Sequence, residues 1–415
     1  MSGNLGECEF VIEDGLGQIE MLDAEIGAWT YVDPAGARVR ARQLDESAER
    51  GPLYGMSVGI KDIIDVAGMP TTYGSDIYAG NIATQDAACV ALARAAGAVI
   101  IGKTSTTELA GTYPAKTRNP QNPEHTPGGS SSGSAAAVAA GMVRIAIGTQ
   151  TAGSVIRPAA YCGVVGFKPT FGLVPRNGVK LQSETLDTVG VFARTVDDAA
   201  HWYTAMIGAR ASALPLIGKG ALRILLVSNL MERAEVDMSV AIAEGAEALT
   251  AAGLRVREVR LPETFDVAQL DQRIIQLAEM SRLYASEHRH FREQLSDELV
   301  ALLDEGATIT ADKYEAALAR TDAARKQVAL QFGDCDAMLM PSATGAAPKG
   351  LSSTGDPVFN RLASTLHLPA VNIPVYRSKK RMPLGLQLVG ARLQDEKLLA
   401  IAKRVIELLR SNTHD

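Results

Sequence analysis

The sequence predicts an α/β protein with one central β-sheet and helices over both of its faces. Two observations lead there. Strand-length apolar runs alternate with helix-length patterned runs along most of the 415 residues. Hydrophobic residues make up 47% of the chain and aromatics only 5%, a balance that suits closely packed helices and strands better than an aromatic binding platform. A single domain over 1–415 is the reading. A boundary near 209–220 is the alternative.

The elements follow in order. The first thirty residues are acidic and loosely patterned. Residues 34–50 read as an exposed helix, with Pro34 in its first turn, Arg38, Arg40 and Arg42 in solvent, and Gly51-Pro52 closing it. Residues 56–60 read as a strand that delivers Lys61 and Asp62 at its end. A helix over 85–96 stops at Gly97, and 98–101 is a short apolar strand. An Ala-rich helix is predicted over 132–140, a strand over 143–147, a helix over 154–161 and a strand over 164–167. Beyond these, strands are expected over 222–227, 254–259, 336–340 and 384–389. Helices are expected over 236–252, 267–290, 311–332 and 395–409.

Bulk properties exclude several classes. The net charge is −6 and no basic patch dominates, so nucleic acid is not a fitting partner. Cys8, Cys89, Cys162 and Cys335 are far apart and form no CxxC pair, which points to reduced thiols in a cytoplasmic protein and to no metal site. The N-terminus lacks the pattern of a signal peptide, and no apolar run approaches ~18 residues, so no membrane span is expected.

Two small-residue runs stand out. Pro127-Gly128-Gly129-Ser130-Ser131-Ser132-Gly133-Ser134 has the composition of a flexible linker, yet it opens directly into an Ala-rich helix between globular segments. Capping uses one or two of its hydroxyls and leaves the others unexplained. Gly148-Thr149-Gln150-Thr151-Ala152-Gly153-Ser154 joins a strand to a helix, where converging N–H groups can hold an oxyanion beside a nucleophile. A serine nucleophile needs a base. Of His125, His201, His288, His290, His367 and His414, only His125 lies near such a run. Lys61 at a strand end is the better base if burial lowers its pKa; the alternative is an ion pair with Asp62 or Asp65. Gly97 to Thr104 matches G-x-x-x-x-G-K-[ST], but its middle residues are themselves a strand, so their N–H groups are not free for a phosphate.

Three stretches in this order resemble the amidase signature family: Gly59-Ile60-Lys61-Asp62, Gly128-Gly129-Ser130-Ser131-Ser132-Gly133 and Thr151-Ala152-Gly153-Ser154. Sixty-nine positions separate Lys61 from Ser130, and 24 separate Ser130 from Ser154. The likeness continues through Arg157-Pro158-Ala159-Ala160-Tyr161-Cys162-Gly163, Gly166-Phe167-Lys168-Pro169-Thr170, Pro369 to Pro374 and Pro383 to Gln387; it is dense over about 50–205. It implies that family's fold, with a mixed sheet, and hydrolysis of a small-molecule amide through a Ser-cisSer-Lys triad and an acyl-enzyme. Ser154 is then the nucleophile, Ser130 the bridging serine after a cis peptide, and Lys61 the base. The N–H groups of Thr151, Ala152, Gly153 and Ser154 form the oxyanion hole, and Ser132 supports the site. No cofactor or metal is implied, and a homodimer is left open.

Two departures bear on the substrate. Ala152-Gly153 replaces a frequent Gly-Gly, and Arg157 sits one place later after the serine than is common. That arginine placement is similar to the malonamidases of the family and implies a grip on a substrate carboxylate, as in malonamate; a structural tie to a carbonyl is the alternative. Aryl-amide, carbamate or urea-type amidases are other readings. A glutamine-hydrolysing subunit of a tRNA-dependent amidotransferase is a further one, although such subunits usually carry Asp at the place of Gln150 and are usually longer.

Overall fold

The computed structural model describes residues 5–208, 214–215, 217, 222–333 and 335–411. The boundary considered near 209–220 lies almost wholly outside these residues, as does His414.

Eleven strands form one mixed sheet. They are β1 (Trp29–Val32), β2 (Ser57–Lys61), β3 (Val99–Thr104), β4 (Ile145–Gln150), β5 (Val165–Lys168) and β6 (Thr188–Ala193). The set continues with β7 (Arg223–Val227), β8 (Arg255–Val259), β9 (Ala337–Pro341), β10 (Ala370–Arg377) and β11 (Pro383–Val389). Their order is β1-β3-β2-β4-β6-β5-β10-β11-β9-β7-β8, so strands from both halves of the chain share it. β2 runs parallel to both β3 and β4, and β7 to β8 and β9. The other pairs are antiparallel.

Burial on both faces explains why the central strands read as continuous apolar runs. In β4, Ile145 and Ile147 pack with Val58, Ile60 and Trp202 on one face. Ala146 points the other way, into a cluster with Val99, Ile101 and the alanines of the helix Ser132–Ala139. The α/β expectation with helices on both faces therefore holds. Among the described residues, no helix is long and apolar enough to cross a membrane.

The structure corrects several local expectations. The stretch read as loosely patterned holds the 20-residue helix Glu7–Ile26 and β1. Its buried residues Cys8, Ile12, Gly15 and Leu16 do follow helical spacing, but the stripe is narrow and broken by glycine. Gly15 is needed there, because a Cβ would lie 2.7 Å from the Met142 carbonyl oxygen. The helix expected over 34–50 ends at Asp45, and the Asp33 carboxylate caps its first turn by accepting from the Gly36 N–H at 2.9 Å. The pattern over 267–290 divides into Glu263–Leu283 and Ala285–His290. Strands β6 and β10 and the helices Val196–Ile207 and Asp297–Ala307 were not expected. In β6 the sequence signal is weakened by Gly190, where a Cβ would stand 2.6 Å from the Phe167 carbonyl oxygen of β5.

Candidate active site

Three adjacent parallel strands bring the key groups together. Lys61 is the last residue of β2, and its neighbour Ile60 pairs with Ile147 of β4, two residues before Thr149. The Lys61 side chain is fully buried, and its ammonium nitrogen lies 2.7 Å from Ser130 Oγ and 2.8 Å from Thr149 Oγ1. Burial pulls its pKa from 10.5 down to about 7, against a smaller upward pull from Asp187. The ion-pair alternatives fall away. Asp62 pairs with Lys103 at 2.9 Å, both fully buried, and Asp65 faces the Tyr73 hydroxyl at 3.5 Å. Lys103 also donates to Thr71 Oγ1 and the Pro70 carbonyl, and the run containing it is β3, so this lysine is a structural group in the sheet.

The serine-rich run fastens a helix to the sheet. The peptide between Gly129 and Ser130 is cis. Ser131 Oγ donates to the Thr149 carbonyl at 3.2 Å, and Ser134 Oγ to the Ile147 carbonyl at 3.1 Å. No side chain caps the helix Ser132–Ala139. Ser132 Oγ donates to the Ser130 carbonyl at 3.4 Å, and Ser131 Oγ accepts from the Thr149 N–H at 3.4 Å. Gly133 allows the close approach: a Cβ there would sit 2.2 Å from the Ala28 carbonyl oxygen.

The second run forms a turn between β4 and the helix Ile156–Cys162. Gln150 organises it: its side-chain oxygen accepts from the N–H groups of Val155 and Ile156, and its amide donates to Ser364 Oγ. Thr151 Oγ1 donates to Asp187 at 2.5 Å, and Ser364 Oγ to the Ala152 carbonyl at 2.8 Å. The N–H groups of Ala152, Gly153 and Ser154 meet no acceptor among the described residues. Thr151, Ala152, Gly153 and Ser154 all line one pocket of about 130 Å³. Ser154 Oγ has no partner there either, and no hydrogen bond joins it to Ser130 Oγ. The contact between Lys61 and Ser130 is thus present, and among the described residues no hydrogen bond joins the two serines.

Gly153 has no room for a side chain: a Cβ would lie 2.5 Å from Asn360 Oδ1 and 2.9 Å from Pro357 Cβ. Gly153→Ala is therefore expected to displace the turn and lower kcat by about 100-fold, the scale of losing one oxyanion donor. Ammonia release checks this; a kcat within a factor of three of wild type would contradict it.

Arg157 lines the same pocket and is only 5% exposed. Its Nη2 donates to the Gly129 carbonyl at 2.7 Å and to Thr354 Oγ1 at 3.2 Å. Its Nε and Nη1 are buried without a partner. The arginine thus makes the carbonyl tie and keeps two nitrogens in reserve. No Asp or Glu lines the pocket among the described residues. His125 is engaged elsewhere, with Nδ1 2.7 Å from the Ala347 carbonyl. Thr149, Asp187, Gln182 and Arg361 were not singled out from the sequence. Thr149 and Gln182 lie near the motifs, but Arg361 is some 200 positions from Ser154 and only the fold brings it to the pocket.

Fold and site together define an amide-hydrolysing enzyme. The chain belongs to the Amidase family, whose pattern matches residues 11–399. It is 31% identical to a glutamyl-tRNA(Gln) amidotransferase subunit from Desulforapulum autotrophicum, over 92% of this chain and 90% of that protein. A crystal structure of an amidase superposes with a TM-score of 0.88 at 29% identity, covering 98% of this chain and 96% of the other. The native peptide amidase from Stenotrophomonas maltophilia superposes with a TM-score of 0.81 at 28% identity, covering 99% and 95%.

Proposed function

We propose that this enzyme hydrolyses a small amide bearing a carboxylate on its acyl side, with malonamate as the simplest example. The observation that carries the reading is Arg157: a buried guanidinium with two unpartnered nitrogens, lining a small pocket in which no acid answers it.

In this reading neutral Lys61 takes a proton from Ser130, which takes one from Ser154. Ser154 Oγ bonds to the acyl carbon as the carbonyl π pair moves onto oxygen. The N–H groups of Thr151, Ala152, Gly153 and Ser154 receive that oxyanion. On collapse the C–N bond breaks and Ser130 passes a proton to the departing nitrogen, which leaves as ammonia. Water then adds to the acyl-enzyme and gives up a proton along the same route; on collapse the acyl C–Oγ bond breaks, Ser154 regains a proton from Ser130, and the carboxylate leaves. Asp187 acts as a positioning residue: it accepts from Thr151 Oγ1 and from the N–H groups of Gln182 and Ser183, which holds the turn in place.

Arg157→Ala tests the substrate class. Both malonamate and neutral propionamide are expected to lose some turnover, because the tie to the Gly129 carbonyl is lost. The loss of kcat/KM on malonamate is expected to exceed that on propionamide by about 100-fold, equal to roughly 2.7 kcal/mol and within the range for truncating one side of a buried charge pair. Equal losses on the two amides would remove the carboxylate role.

A second reading has support from the 31% identical relative: hydrolysis of glutamine to supply ammonia within a larger assembly. Glutamine carries an ammonium as well as a carboxylate, and the pocket lining offers no carboxylate to meet it. Ammonia release from glutamine, at a rate matching that from malonamate, would favour this second reading. The partner in the preferred reading is the amide substrate alone, and the four buried free thiols suit a reducing, cytoplasmic setting.

A further inference from the structure

Arg361 opens the short helix Arg361–Thr365 and lines the pocket together with Arg157. Its Nε is buried without a hydrogen-bond partner. Asp356 is the acid whose charge Arg361 feels most, and it is shared with another arginine. Asp356 pairs with Arg233 at 2.8 Å, and Arg273, a further positive group beside the pocket, is held by Glu305 at 2.5 Å. Among the described residues no ion pair reaches either Arg157 or Arg361. Burial lowers the pKa of both guanidinium groups; Asp356 pulls both back upward and Tyr161 does so for Arg157, while Arg361 lowers Arg157 further and Arg273 and Arg233 lower Arg361. Two poorly compensated cations at one small cavity are unfavourable until an anion enters between them.

The placement says which end of the substrate this concerns. The residue before Arg361, Asn360, abuts Gly153, and Ser364 of the same helix holds the Ala152 carbonyl. The helix that carries Arg361 is therefore fastened to the Thr151–Ser154 turn, which in the proposed mechanism holds the carbonyl of the acyl group.

We infer that Arg361 is a second anion anchor, which with Arg157 selects acyl groups ending in a carboxylate, namely monoamides of short dicarboxylic acids. The inference rests on the carboxylate reading above and adds a residue that the sequence motifs do not contain. Arg361 is a specificity residue in this scheme. It binds the far end of the substrate and takes no part in proton transfer.

The experiment compares wild type, Arg361→Gln and Arg361→Lys on malonamate and propionamide, with malonate as a competitive inhibitor. In Arg361→Gln the KM for malonamate and the Ki for malonate are expected to rise by about 30-fold, with kcat changed less than about threefold and propionamide kinetics nearly unchanged. Arg361→Lys, which keeps the charge and loses the fork, is expected to fall between the two. A fall in kcat on both amides would overturn the inference and place Arg361 at the oxyanion instead. Wild-type preference for malonamate that survives in both variants would overturn the inference alone. Wild type that treats the two amides alike would overturn the carboxylate reading and this inference with it. Should Arg361→Gln not fold, the Arg361→Lys KM and Ki decide, with unchanged values counting against the anchor.

Discussion

Ser154→Ala is expected to abolish amide hydrolysis, with kcat falling by on the order of 10⁴–10⁶-fold, the scale seen when a serine nucleophile is removed. The same change is expected to move the melting temperature by no more than about 2 °C, because Ser154 is only partly buried and its hydroxyl bonds to none of the described residues. Separating activity from stability in this way is what marks a group held ready for chemistry. The contest is with Ser130, which is buried and already in contact with Lys61 Nζ at 2.7 Å. If Ser130 were the nucleophile, Ser154→Ala would keep substantial turnover and an acyl adduct would map to Ser130. Mass spectrometry of enzyme quenched during turnover distinguishes the two. The proposed relay requires the adduct on Ser154 and a severe but incomplete loss in Ser130→Ala, since Ser154 and the turn survive that change.

The parts of this arrangement that could be read in advance are those fixed by short-range chemistry. Lys61 follows an apolar strand, and glycine and serine crowd the two turns, so the strand end and both turns were marked by local composition, while the cis junction and the roles of the serines came only from the likeness to the family. The α/β class was legible for the same reason: β2, β3 and β4 are buried on both faces and therefore unbroken in their apolar character. What escaped was set by long-range contact. β6 is hidden because Gly190 answers to a neighbouring strand's carbonyl, not to its own β-propensity. The helix Glu7–Ile26 is hidden because Gly15 answers to Met142. The serine run misleads in a subtler way. Its hydroxyls suggest helix caps, but Ser131 and Ser134 bond to carbonyls of β4, a partnership that no spacing rule reveals. Arg361 is the extreme case, since nothing around it in the sequence distinguishes it from an arginine on a solvated helix.

Lys61→Met is expected to do two opposed things: lower kcat by about 10⁴-fold or more, and raise stability near neutral pH. The first follows from losing the proposed base. In wild type the acting form is the neutral amine, so kcat/KM on malonamate is expected to rise with pH through an apparent pKa near 7, matching the lowered value of this buried lysine. The second follows from linkage. The folded-state pKa is depressed from 10.5 to about 7, so between those values the unfolded chain holds a proton that the native state does not. Stability therefore rises with pH across that window, and at pH 7 and below nearly the whole penalty is present, on the order of 4 kcal/mol. Methionine carries no such penalty. It does leave Ser130 Oγ and Thr149 Oγ1 without their common partner, which costs roughly 1–3 kcal/mol, so a net gain of about 1–3 kcal/mol is expected at pH 7. That gain should shrink as the pH is raised toward 10. Lys168 is also buried with a pKa lowered to about 7, so the pH dependence of wild type alone mixes two lysines. The difference between wild type and Lys61→Met, measured by urea unfolding at pH 7 and pH 9.5, isolates the one at the site. A variant no more stable than wild type at pH 7, with a pH–rate profile in wild type that is flat from 6 to 8, would mean that Lys61 is held charged, and a charged ammonium cannot be the base.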